Sequence, residues 1–286
     1  MKTFLVATDF SATAQHAAGY AYAFAKQVNA DLLICNAVIV PAEVPMASAM
    51  VWPIDECENL LENSLAELKK LKSNLELSDV TGSYKPQVRC FNEAGTLNDI
   101  VGQLVASQKV RLTIIGTHGT RGLNQFILGN HSRDFINHTT TPLLLVPGDA
   151  PARAVRRIAF AADFKKPDQD LAAIYSLIEL ARPLNAEILL TYVCDTTYES
   201  PEFQAWINQF IADLSSKSDY TPIFYRIIRN KHVVLGLDWL CEHGQIDMLA
   251  MVHRSKSFME NLFRGSHTQR MAQHIPVPLL VFSGQL

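Results

Sequence analysis

No two cysteines in this chain stand at the C-x-x-C spacing of a zinc or redox site, and their number is odd: Cys35, Cys57, Cys90, Cys194 and Cys241. This argues against a disulfide framework and fits reduced thiols in a cytoplasmic compartment. A surplus of either charge is missing too, with 25 Lys and Arg against 28 Asp and Glu and a formal net charge of −3. Binding to nucleic acid or an anionic membrane calls for a basic surplus, so neither partner is expected. Basic residues gather at Arg153, Arg156 and Arg157 and at Lys165 and Lys166, read as a solvated linker and a loop. Long apolar runs are absent. The least polar stretch, residues 37–51, is broken by Pro41, Glu43 and Pro45, whereas a spanning helix needs about 20 apolar residues. The opening residues have too short an apolar run for a signal peptide and no small-residue cleavage site.

Familiar catalytic and cofactor signatures are lacking as well. There is no GxxxxGK[ST] loop, no GxGxxG after the first strand, no HExxH and no GxSxG elbow. His131 and His138 do not stand at metal-pair spacing. His267 and His274 share a helical face and read as structural or surface residues. No metal site is expected, and no catalytic residue is assigned.

What the chain does contain is a copy of itself. FLVATDF at residues 4–10 returns as IAFAADF at 158–164, NADLLI at 29–34 as NAEILL at 185–190, and PLLLV at 142–146 as PLLVF at 278–282. The order is the same in both halves, so the 286 residues divide into two units, 1–149 and 150–286, at the turn-prone Pro147–Pro151 break. Short continuous apolar runs at 4–7, 32–36, 88–91, 112–115 and 143–146 predict strands buried on both faces. Between them, apolar residues at helical spacing predict helices over 14–28, with Ser11 or Thr13 as cap, 59–75 and 96–107. Alternating strand and helix defines the fold class: α/β, two tandem doubly wound domains, each an open five-stranded parallel sheet with helices on both faces.

Ligands of such sheets sit beyond the carboxyl ends of the strands, where the strand order switches. Asp9 ends the first strand there, an acceptor for a ribose hydroxyl or an adenine amine. Gly116 and Gly119 follow the fourth strand, and Gly129 and Ser132 open the last helix. Glycines let backbone N–H groups approach an anion, and a helix N-terminus adds free amides and partial positive charge.

The spacing G-x2-G-x9-G at Gly116, Gly119 and Gly129 resembles the nucleotide signature of the universal stress protein family. The run Thr117 to Leu123, the opening strand that ends in Asp9, and the closing strand after Thr141 and Pro142 fit the same family. The resemblance spans nearly the whole chain as two copies. It implies a Rossmann-like, adenine-nucleotide-binding fold and a stress-response role, with ATP, accompanied by Mg2+, in the first domain only. Carried over residue by residue, it implies that Ala7 and Asp9 meet the adenosine. Ala37, where the family has Val, offers its backbone to adenine. Ile115, Gly116 and Gly119 line the ribose and phosphates, and Gly129, Asn130, His131 and Ser132 hold the phosphates. Asn130 departs from the family's Ser or Thr, and Arg111 from its Asp.

In the second half Val252 and Ser255 replace the first two glycines, and only Gly265 and Ser266 survive. That half is expected to serve as a partner, paired to the first through the last strands, with a homodimer as a further option. Activity is expected to be nil or a weak ATP hydrolysis in which Asp9 or His118 positions a water; a third reading is an interaction protein that binds no nucleotide.

Overall fold

The computed structural model describes residues 2–39, 54–80, 84–117, 141–164, 167–195, 200–253 and 277–283. The chain opens with strand β1 (Lys2–Ala7), helix α1 (Ala12–Gln27), β2 (Ala30–Val38), α2 (Ile54–Leu77), β3 (Val88–Ala94), α3 (Leu97–Gln108), β4 (Val110–Thr117) and β5 (Leu143–Pro147). The series then repeats as β6 (Arg157–Ala161), α4 (Pro167–Leu184), β7 (Glu187–Cys194), α5 (Pro201–Ser218), β8 (Ile223–Arg229), α6 (Val233–His243), β9 (Met248–His253) and β10 (Leu279–Ser283). The last helix expected in each half falls on residues outside those described.

Among the described residues, ten strands join one sheet in the order β3-β2-β1-β4-β5-β10-β9-β6-β7-β8. Every pairing is parallel except β5 with β10, where Leu145 faces Leu279 and Leu143 faces Val281 in antiparallel register. Each half thus has the doubly wound order, reversing between β1 and β4 and again between β6 and β9. Helices cover both faces, and the core follows them. One buried layer contains Phe4, Phe24, Phe160 and Phe282; the other contains Leu5, Leu33, Leu145, Leu237 and Leu279.

The reasons for this fold are local. Ser11 caps α1 by accepting from the Ala14 amide at 3.2 Å, and Thr96 caps α3 through Asp99 N at 3.3 Å. Ala14, Ala17, Ala18, Ala21 and Ala25 of α1 are buried, and such small side chains let a helix lie close on a sheet. Backbone geometry repeats between the halves, with the side chain at two pairs and without it at Lys109 and Gln245. Phe10 and Phe164 both take positive φ, 64° and 53°, as do Asn29 and Asn185, and Lys109 and Gln245. A bulky aromatic residue seldom adopts that region, so the shared conformation is set by the fold.

Two expectations need correction. Helix α2 begins at Ile54, five residues before the predicted start at 59. Of the basic group, Arg153 and Arg157 are not simply solvated. Arg153 Nη2 lies 2.8 Å from Asp247 Oδ1, and Arg157 opens β6 and donates to Glu187 Oε2 at 2.7 Å. Asp247 also accepts from the amides of Arg156 and Arg157, so it ties the connecting segment to β9. The connection is anchored from the first half too, since Gln27 Oε1 accepts from Val155 N at 2.9 Å and His16 Nε2 meets Ala150 O at 2.8 Å. Among the described residues, no helix is long and apolar enough to cross a membrane.

The end of α2 is fixed to α1 by Asp79, which takes Lys26 Nζ at 2.5 Å and the Tyr22 hydroxyl at 3.1 Å. Burial, then the hydrogen bond to Asp79, raises the Tyr22 phenol from 10.0 to about 12. A group whose folded pKa lies above its unfolded value contributes stability that is complete below the unfolded pKa and disappears as pH climbs through the folded one. Stability should therefore fall between about pH 10 and about pH 12. Tyr22→Phe should flatten that slope, as read from thermal unfolding across the interval; an unchanged slope would remove Tyr22 as a contributor.

Candidate functional site

The carboxyl ends of β1 and β4 lie side by side, with Ala7 opposite both Ile115 of β4 and Cys35 of β2. Ala7 and Ile115 are buried, and the residue after β1, Thr8, hydrogen-bonds through its amide to Cys35 O at 2.9 Å. The chain then turns sharply. Phe10 N donates to Thr8 Oγ1 at 3.0 Å, and Ser11 N donates to Asp9 Oδ1 at 3.0 Å. Asp9 is thus held just beyond the carboxyl end of β1, at the switch in strand order, and is exposed to solvent.

Ala37 stands near the end of β2, half-buried and paired with Glu93 of β3. Beneath it, Asn36 donates through Nδ2 to Thr8 O at 2.7 Å and accepts from Ser64 Oγ of α2 at 2.9 Å. Asn36 and Ser64 were not among the residues read from sequence. The available signal was a single asparagine closing an otherwise apolar buried run, Leu32 to Cys35.

Gly116 lies in β4, paired with Val146 of β5. A Cβ there would stand 2.8 Å from Thr13 O and 3.2 Å from Thr13 Cγ2, so the first turn of α1 already demands glycine, with or without a ligand. Because the obstacle is backbone, Gly116→Val should cost about 1–3 kcal/mol through overpacking. Urea denaturation measures this, and an unchanged midpoint would contradict the packing. Thr117 follows, 2 % exposed, and its hydroxyl finds no hydrogen-bond partner among the described residues. The structure therefore brings together Ala7, Asp9, Ala37, Ile115 and Gly116. Gly119, Gly129, Asn130, His131 and Ser132 lie outside the described residues.

The equivalent place in the second half has different chemistry. Val252 occupies the position of Gly116, since Leu249 N bonds Pro278 O at 3.0 Å as Thr113 N bonds Pro142 O. Asp163 is exposed like Asp9, but the neighbouring Phe164 packs at 5.2 Å from Trp206, 5.9 Å from Phe210 and 6.3 Å from Tyr192. At the end of β9, burial holds the His253 imidazole below its ordinary pKa, which favours its neutral form. Among the described residues, no group of three or more His, Cys, Asp or Glu side chains could hold a metal ion.

A doubly wound α/β chain with two copies of one strand order, and an exposed carboxylate at the switch point of the first, is the class of protein defined here. The universal stress protein family model matches it twice, over residues 1–147 and 154–283. The chain belongs to the universal stress protein family. Universal stress protein MJ0577 of Methanocaldococcus jannaschii is 29% identical in an alignment of 157 residues that covers 51% of this chain and 94% of that protein. Among solved structures, a universal stress protein from Archaeoglobus fulgidus DSM 4304 superposes with a TM-score of 0.72 at 15% identity, covering 99% of this chain and 98% of that one. A functionally unknown protein of Pseudomonas aeruginosa PAO1 gives 0.58 at 12% identity, over 99% and 92%. At such identities the two structures speak for the fold alone.

Proposed function

We propose that this protein binds an adenine nucleotide, ATP with Mg2+, in its first unit, residues 1–149, with residues 150–286 acting as a paired partner. Occupancy of the site alters the conformation or assembly of the pair in a stress response. The observation that carries this reading is the switch in strand order between β1 and β4, where Asp9 is exposed and the buried Thr117 hydroxyl has no partner among the described residues. Open α/β sheets bind their ligands at this switch point. Asp9 would accept from the adenosine. Gly119, Gly129, Asn130, His131 and Ser132, outside the described residues, would take the phosphates, in the manner expected of glycine-freed amides.

Restriction to one unit is supported by Val252 at the Gly116 position and by the rings around Phe164. The rings replace the polar residues around Asp9 at the proposed adenosine end, and Val252 replaces the first glycine of the phosphate signature. The test is the nucleotide that stays with the purified protein, identified chromatographically after denaturation. Wild type should release adenine nucleotide and Gly119→Val should release none, with the same unfolding midpoint. Equal nucleotide in both would remove the glycine from the site.

A further inference from the structure

Resting on the nucleotide reading, we infer that Asn36 and Ser64 are positioning residues for the adenosine end of the ligand. Asn36 Nδ2 holds Thr8 O at 2.7 Å, and Ser64 Oγ, on a side chain buried in α2, holds Asn36 Oδ1 at 2.9 Å. Thr8 C=O and Asp9 N–H belong to one planar peptide unit. A bond that fixes the carbonyl therefore fixes the direction of the Asp9 amide, which points the opposite way, and the origin of the Asp9 side chain. Together with the contacts of Phe10 N and Ser11 N, the pair locks the turn that presents Asp9 at the switch in strand order. The Ser64 bond also holds the Asn36 amide in the one orientation that aims its nitrogen at Thr8 O.

The second half is an internal control for a purely structural role. The registers Ala7↔Cys35 and Ala161↔Thr191 place Tyr192 at the position of Asn36. Buried Leu68 and Leu75 of α2 correspond to Ile207 and Leu214 of α5, which places Phe203 at the position of Ser64. Those two residues also meet, as rings 5.8 Å apart. Ala162 N still bonds Thr191 O at 3.0 Å, as Thr8 N bonds Cys35 O at 2.9 Å, so the turn after the strand forms with or without the polar pair. The fold accepts two rings here. The polar pair occurs in the copy that has Gly116, and the rings occur in the copy that has Val252.

Two variants of the full chain test this: Ser64→Ala, and Asn36→Asp, which keeps the shape but loses the donor to Thr8 O. Calorimetric titration with ATP and with GTP should show ATP affinity lowered about tenfold in each and the preference for ATP over GTP reduced. The unfolding midpoint is measured alongside, and Asn36→Asp carries the test where Ser64→Ala folds poorly. A lower midpoint with ATP affinity and ATP-over-GTP preference within about twofold of wild type would make the pair structural only and overturn the inference. Wild type that fails to bind ATP would overturn the nucleotide reading itself, and the inference with it.

Discussion

Phe282→Ala is expected to cost about 3–5 kcal/mol of folding stability, a large part of the total that a domain of ordinary stability possesses. Phe282 is fully buried on β10, and its ring stands 6.4 Å from that of Phe160. Strand β10 is also the element through which the two halves meet, paired with β5 on one side and β9 on the other. Truncating this ring opens a cavity in a layer that contains Phe4 and Phe24 as well as Phe160. Both halves should therefore lose stability in one transition. Urea denaturation followed by tryptophan fluorescence and by far-ultraviolet dichroism measures this. A loss below about 1 kcal/mol would fall outside the range for a buried aromatic and would contradict the central placement of β10. So would a two-step transition in which one half keeps its wild-type midpoint.

Asp9→Ala should lower ATP affinity about 10- to 100-fold, the range for losing hydrogen bonds to a charged group. The fold should barely respond, because Asp9 is exposed to solvent. Asp9→Asn, which keeps the acceptor oxygen and the shape, should retain part of the affinity. Phosphate release followed through the same series separates binding from turnover. Release that vanishes in Asp9→Ala would identify a slow hydrolase at this site, whereas no release from wild type leaves a binding protein. Undiminished ATP affinity in Asp9→Ala would remove Asp9 from the site.

The features legible in the sequence were those made by short-range rules. Strands buried on both faces show as unbroken apolar runs, so β5 could be read to within one residue and β1 to within two. Strand ends were less legible. β3 starts at Val88 as expected but continues through Asn92 and Glu93, as an edge strand tolerates polar side chains, and the central β2 and β4 run two residues past their apolar runs at each end. Helix caps such as Ser11 were legible because capping is a local bond. The long-range partners were not: Asp247 with Arg153, Asp79 with Lys26, and Ser64 with Asn36 each join residues far apart in the chain. Gly116 shows a different limit. Its spacing marked it as a ligand residue, yet its closest constraint is the backbone of Thr13, and a sequence gives no means of telling the two demands apart.

The most direct test of the central claim is a calorimetric titration of the full chain with ATP in the presence of Mg2+. The account predicts saturable binding at one site per chain, lost in Gly119→Val. Two sites per chain would show that Val252 and the rings around Phe164 do not close the second half. No heat at nucleotide concentrations well above those in a cell would mean that the glycines and Asp9 are inherited architecture without a nucleotide.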